Sequence, residues 1–323
     1  MTGVQTCALP ISVSPDAAAK INAWRAFFIA PNGIETTISK NSVPLKVPEL
    51  SQMALPGLVE TAWLNENFQK PGLKIIDLRT QPEYNGGHIP GSVSLNPESL
   101  RGLIDETPSS LLPAKMLAEH FSMMGIAPDD LVVLVASEKP QDATLAGMAC
   151  ERLKHERYAV LNGGFPKWQA EKRLVDTTLP PVVPSRYPVP DTPDTFTVTA
   201  REVLSAMGNP GSIILDVRPV DFYSGKKKEE ARGGHIPGAV NRPFSEDVAK
   251  ADGYIILKLV GELEEAYGKL IPAKDSPVIV HCRTGHQASQ TYFILVRLLG
   301  YTHIGFYDAG WTEWAAKPEL PVE

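Results

Sequence analysis

Gly233-Gly234-His235-Ile236-Pro237-Gly238-Ala239-Val240 is a near copy of Gly86-Gly87-His88-Ile89-Pro90-Gly91-Ser92-Val93, and the pairing of these segments decides the fold. Upstream, Ser212-Ile213-Ile214-Leu215-Asp216-Val217-Arg218 answers Leu73-Lys74-Ile75-Ile76-Asp77-Leu78-Arg79. Downstream, the run from Ser276 to Val280 answers Leu131 to Val135, and Ala309-Gly310-Trp311-Thr312-Glu313-Trp314 answers Gly163-Gly164-Phe165-Pro166-Lys167-Trp168. The order is kept and the insertions are small, so the chain carries two copies of one domain, each of about 120 residues.

Within each copy, short apolar runs alternate with helical patterns. In the second copy Phe196–Thr199, Ile213–Asp216 and Pro277–His281 read as strands. Arg201–Met207, Gly261–Leu270 and Ala288–Leu299 read as helices, the last stopped by Gly300. This alternation predicts an α/β class with a parallel sheet covered on both faces. Ligands of such sheets bind beyond the carboxyl ends of the strands, where Asp216 and Cys282 both fall.

The bulk numbers fit that class. The chain has 323 residues, 43% apolar and 21% charged, room for two soluble globular domains. A formal charge of −6 argues against nucleic acid as a partner. No apolar run approaches the roughly 20 residues that span a bilayer, so no membrane role is expected. Cys7, Cys150 and Cys282 make no disulfide framework, and no Cys/His spacing suggests a metal, so no metal or cofactor is expected. Residues 1–11 read as the translation of a sequencing-library adapter fused to the reading frame. The rival is a worn signal peptide, which lacks a basic start. An export signal lost in that way would leave the compartment, cytoplasmic or periplasmic, open. Residues 12–56 read as a lead-in segment with a short apolar patch at Ala23–Ala30, and no function is legible in it. Between the copies, Pro180, Pro181, Pro184, Pro188, Pro190 and Pro193 predict a semi-rigid extended linker.

The chemistry concentrates in the loop Cys282-Arg283-Thr284-Gly285-His286-Gln287, which leads into a helix at Ala288. A lone cysteine is commonly a buried small hydrophobe. At a strand end facing a helix N-terminus, however, it meets unpaired backbone N–H groups. Those donors, with Arg283 beside them, favour the thiolate and predict a thiol pKa below the free value of about 8.5. Gly285 lets the backbone curl. The pattern suits a nucleophile that attacks something anionic and then holds it.

Taken together, the Asp-x-Arg strand end, the Gly-His-Ile-Pro-Gly turn, the cysteine loop and the closing Gly-x-x-x-Trp, twice and in order, resemble the tandem form of the rhodanese family of sulfurtransferases. The resemblance covers about residues 57–320. It implies two rhodanese-like domains, each a parallel five-stranded sheet with helices on both faces. It also implies that a sulfane sulfur passes from a donor such as thiosulfate to Cys282, as a persulfide, and on to a thiophilic acceptor such as cyanide or a thiol. The expected division is an inactive domain at 57–175, a linker at 176–195 and a catalytic domain at 196–323. The inactive domain is expected because aligning Ala143 with Ala288 sets Ser137 at the cysteine position. Pro140 removes a backbone donor there, and Glu138 and Asp142 add negative charge.

In the catalytic copy the backbone from Arg283 through Thr284, Gly285, His286 and Gln287 to Ala288 is expected to cradle the persulfide. Arg283 would bind the donor's anionic end, and His286 would do so when protonated. Asp216 and Arg218 recur as Asp77 and Arg79, and His235 recurs as His88, so these read as supports. The position where many relatives carry a substrate arginine holds Phe222, for which Arg242 is a candidate substitute. The insertion Lys226–Glu230 reads as a solvated loop, or else as a surface for a protein acceptor of the sulfur. A rival phosphatase reading needs arginine six positions after the cysteine, where this chain has Ala288. A second rival is a non-catalytic persulfide carrier that delivers sulfur to a partner protein.

Overall fold

The computed structural model describes residues 57–104 and 106–323. The expectations for residues 1–56, including Cys7 and the Ala23–Ala30 patch, lie outside the described residues. Strands β1 (Leu58–Val59), β2 (Leu73–Asp77) and β3 (Val93–Ser94) belong to the first copy, with β4 (Arg101–Ile104), β5 (Thr107–Leu111), β6 (Leu131–Val135) and β7 (Tyr158–Leu161). The second copy supplies β8 (Ile213–Asp216), β9 (Val240–Asn241), β10 (Val248–Lys250), β11 (Ile255–Leu257), β12 (Val278–His281) and β13 (Ile304–Tyr307). The helices, in chain order, are α1 (Thr61–Asn67), α2 (Gln81–Asn85), α3 (Ala114–Met123), α4 (Pro140–Arg152), α5 (Gly164–Ala170), α6 (Ala200–Met207), α7 (Val220–Tyr223), α8 (Val260–Gly268), α9 (His286–Phe293) and α10 (Gly310–Ala316).

The first copy forms a parallel sheet in the order β1-β7-β6-β2-β3, and the second a parallel sheet in the order β13-β12-β8-β9. The second sheet therefore has four strands. The expected strand at Phe196–Thr199 shrinks to a single parallel bridge, Thr197 to Phe306. Asp194 bonds back to the Thr197 amide, and Thr199 already caps α6, so little extended chain is left between them. Helices cover both faces of each sheet because the central strands are apolar on both sides; every residue of β6 is buried.

The two halves share one core. α4 and α9 pack against each other through small residues, and Thr144 Oγ1 meets Ser289 Oγ at 2.8 Å. Ala143, Ala146 and Ala149 of one half join the same apolar cluster as Ala288, Tyr292 and Leu295 of the other. Each half also lends the other a hairpin. The Leu111 amide of β5 donates to Asp308 Oδ2 at 2.6 Å, and the Leu257 amide of β11 donates to Asn162 Oδ1 at 3.1 Å.

The proline-rich connection has no helix or strand from 179 to 190, and it is fastened to the first copy. The Ser185 and Tyr187 amides donate to Ser122, Tyr187 is buried beside Phe121, and Arg152 holds Asp194 at 2.7 Å. Gly125, at φ +67°, lies under it, and a Cβ there would stand 2.5 Å from the Val183 carbonyl oxygen. No helix among the described residues is long and apolar enough to cross a membrane. Gly125→Ala is expected to lower stability by about 1–3 kcal/mol, through left-handed strain plus the clash. It should also speed proteolysis at Pro180–Pro184. A urea melt and a timed digest check this, and an unchanged digest contradicts the fastened linker.

Candidate active site

Strand register fixes where chemistry can occur. β8 and β12 run side by side with Asp216 opposite His281, so Cys282 is the first residue past the sheet. The chain then turns at Gly285, φ +86°, a conformation that disfavours a Cβ, and enters α9 at His286. The turn is held from behind. Trp311 and Thr312 amides donate to the Cys282 and Arg283 carbonyls at 2.9 and 3.1 Å. That approach needs Gly310, where a Cβ would stand 2.6 Å from both oxygens.

Cys282 is 1% exposed and lies on the floor of a cavity of about 270 Å³. Burial pushes its thiol pKa up, opposed by the amide N–H groups of Ala288, Thr284, Gln287 and Gly285. The expectation of a depressed thiol is therefore corrected. These amides favour the anion, but loss of hydration outweighs them.

The charged side chains are arranged differently from the expectation. Arg283 Nη1 bonds Glu229 Oε2 at 3.0 Å and its Nε bonds Glu230. The insertion Lys226–Glu230 is thus not simply a solvated loop, because its two glutamates line the cavity and occupy the arginine that was to meet the donor. His286 Nε2 lies 2.8 Å from Glu98 Oε1 of the first copy. Burial, only partly offset by Glu98, holds its pKa below the usual histidine value, which disfavours the charged form that was to meet an anion. Arg242 is not at the cavity at all. It bonds Asp247 at 2.6 Å and Glu246 at 2.8 Å and lies over the Tyr267 ring, so it does not replace the arginine missing at Phe222. Phe222 itself walls the cavity with Pro219.

Asp216 and Arg218 form a buried pair at 2.5 Å, with Arg218 also bonding the Gly234 carbonyl and lying over Trp311. Burial would raise the Asp216 pKa, but His281 and Arg218 outweigh it and the net direction is down. Asp77, Arg79, Gly87 and Phe165 repeat the arrangement in the first copy, as befits a support. His235 stacks on Tyr223 and bonds its carbonyl, as His88 does with Tyr84.

The sequence alignment of the first-copy loop needs one shift. β2 pairs with β6 so that Asp77 faces Val135, and the Phe165 amide donates to the Ala136 carbonyl as Trp311 does to Cys282. Ala136, not Ser137, therefore stands at the cysteine position. That half has no nucleophile there, whichever residues follow. Sequence reasoning also missed His281, Glu229, Glu230, Arg101 and Asp308. His281 alone left a signal, as a histidine where the matching strand ends in Val135.

The rhodanese-like domain family matches residues 60–171 and 199–317. The chain belongs to the rhodanese family. A thiosulfate sulfurtransferase of Corynebacterium glutamicum is 31% identical over 85% of this chain and 93% of its own length. One from Pseudomonas aeruginosa is 32% identical over 83% and 97%. The sulfur carrier protein TtuD of Thermus thermophilus is 30% identical over 82% and 95%. Among solved structures, wild-type EanB superposes with a TM-score of 0.72 at 23% identity, covering 83% of this chain and 69% of that one, which speaks to the fold. This rhodanese-family chain is a sulfurtransferase.

Since the thiol is buried and its pKa raised, alkylation of Cys282 by iodoacetamide should climb with pH through and beyond the free-thiol value of about 8.5. A plateau already reached near pH 7, followed by peptide mass spectrometry, would contradict the balance described.

Proposed function

We propose that the site moves sulfane sulfur through a persulfide on Cys282, with thiosulfate or a similar donor and a small thiophilic acceptor such as cyanide or a thiol. The carrying observation is a cysteine at the floor of a cavity with four converging backbone N–H groups. In the first step the Cys282 thiolate attacks the outer sulfur of the donor. A new S–S bond forms, and the donor's S–S bond breaks with its electron pair leaving on sulfite. The terminal sulfur of the persulfide is anionic, and N–H groups of Thr284, Gly285, Gln287 and Ala288 stabilise it without reorganising. An acceptor then attacks that sulfur and the cysteine leaves as thiolate, ready for another turn.

In this reading residues 196–323 form the catalytic domain, 57–175 the inactive one and 176–195 the linker. Asp216 and Arg218 pin the strand end beside the loop. Arg283 meets an anionic donor only when it lets go of Glu229 and Glu230. The Glu229 pair is half exposed, where ion pairs contribute about 0–1 kcal/mol, and the Glu230 side chain is largely buried, so Glu230 is the tighter hold. His286, bonded to Glu98, forms a wall of the cavity.

A carrier reading is favoured by the likeness to a sulfur carrier protein of Thermus thermophilus. The two part in a thiosulfate–cyanide assay. Catalytic turnover predicts thiocyanate in many-fold excess over protein, falling to background in Cys282→Ser with the melting temperature kept. One sulfur gained on Cys282 with no thiocyanate supports the carrier, and full activity in Cys282→Ser overturns both.

Two further outcomes follow from the charges and the register. Glu230→Gln, which removes the more buried of the two carboxylates on Arg283 and leaves Glu229, should lower KM for thiosulfate. An unchanged or higher KM would separate Arg283 from donor binding. Ala136→Cys and Ser137→Cys, each made in the Cys282→Ser background, should both stay inactive, since Pro140 and the acidic loop offer no comparable cradle; thiocyanate formation by either variant would show otherwise.

A further inference from the structure

Behind the cysteine loop lies a contact that sulfur transfer as described does not use. Arg101, the first residue of β4, belongs to the inactive half, and its side chain is 1% exposed. Its Nη2 donates to the Thr284 carbonyl at 2.7 Å and to Asp308 Oδ1 at 2.8 Å, and also bonds the Ser109 carbonyl. Its Nε donates to Ser109 Oγ at 3.0 Å. Asp308 is anchored in turn by the Leu111 amide, on the strand that pairs with Arg101.

We propose that Arg101 is a positioning residue for the sulfur site: by holding the Thr284 carbonyl, it turns the Thr284–Gly285 peptide so that the Gly285 N–H faces the Cys282 sulfur. The inference rests on Cys282 being the reacting atom. In a trans peptide the C=O and N–H bonds point in opposite directions. A donor fixed on the Thr284 oxygen therefore aims the Gly285 N–H away from itself, and that N–H is one of the four that act on the thiol. A charged donor on the carbonyl also polarises the peptide and strengthens its N–H as a donor.

Two observations support a role at the site over simple cohesion of the halves. The pseudo-symmetric position behind the inactive loop lacks the pair. Val248 faces Leu257 as Arg101 faces Leu111, and the Leu257 amide bonds Asn162 where the Leu111 amide bonds Asp308. Arginine and aspartate thus stand only behind the loop that carries the cysteine. Second, Gly285 leaves room for the pair: a Cβ there would run into Asp308 Oδ1 and come within 3.1 Å of Arg101 Nη2.

The test uses the full chain and follows alkylation of Cys282 by iodoacetamide against pH, read by peptide mass spectrometry, in wild type, Arg101→Gln and Arg101→Lys. Around the thiol, Arg218, Arg283, Glu229, Glu230, Glu98, Asp308 and His286 are the same in all three proteins, so a displaced profile comes from position 101. Arg101→Gln should move the profile upward by about half a unit to one unit, the scale of one backbone hydrogen bond on an anion. Arg101→Lys keeps the charge without the planar fork and should fall between the two. Thiosulfate turnover should fall in the same order. A folded Arg101→Gln whose alkylation profile matches wild type overturns the proposal, even where turnover drops, because a purely structural residue would do that. A wild-type profile in Arg101→Lys with a shifted one in Arg101→Gln assigns the effect to charge and overturns the orienting role. If Arg101→Gln does not fold, Arg101→Lys decides alone: displacement supports the role and identity with wild type removes it. Alkylation reports ionisation of the thiol whether or not sulfur is turned over, so this test can fail without the sulfur-transfer reading failing, and the converse.

Discussion

Everything at the site depends on one turn of backbone. Between β12 and α9 the chain reverses at Gly285, φ +86°, and the amides on either side of that reversal favour the anion of a buried thiol. Two opposing effects meet there. Taking the thiol out of water disfavours the anion, and the fixed amides favour it. At rest the first wins. A site built this way does not keep a permanently ionised thiol. In the proposed sulfur transfer its donors would gain their full value when an anionic sulfur fills the cavity, because the dipoles are already aligned and little water remains to compete.

The repeat supplies the rigidity this turn needs. Each copy has the Asp–Arg pair at its strand end, the stacked histidine in its Gly-His-Ile-Pro-Gly turn, and a glycine that lets the last helix donate to the carbonyls of the loop. Each also sends a hairpin to the other's last strand. The copies have diverged where these shared supports meet the ligand. One has Cys282 past the strand, with Arg101 and Asp308 behind the loop. The other has Ala136, with Val248 and Asn162 in the corresponding places. The first copy thereby reaches the cysteine loop of the second, through the buried Arg101 on the Thr284 carbonyl and through Glu98 on His286.

Much of this was legible in the sequence, for physical reasons that also mark its limits. The repeated segments betray the architecture because strand ends, tight turns and helix starts each demand particular residues. The cysteine loop is legible because a strand followed by a glycine turn and a helix gathers N–H groups whatever surrounds it. The fifth strand of the second sheet was not legible as a mere bridge, since Asp194 and Thr199 shorten it through bonds that local pattern does not reveal. The position of Ala136 was obscured because the alignment ran through the helix, whereas sheet register, set by Asp77 opposite Val135, governs the strand end. Arg242 and Arg283 read alike as available cations, yet each is taken by carboxylates brought near only by folding. Arg101 lies far from the loop in sequence and had no motif to mark it.

The most direct measurement of the central claim is a high-resolution crystal structure of the protein after incubation with thiosulfate. The account predicts one added sulfur on Cys282 Sγ, within hydrogen-bond distance of the Thr284, Gly285, Gln287 and Ala288 nitrogens, with Cys150 unmodified. Added sulfur on another residue, or a Cys282 persulfide pointing away from amides that bond elsewhere, would contradict it.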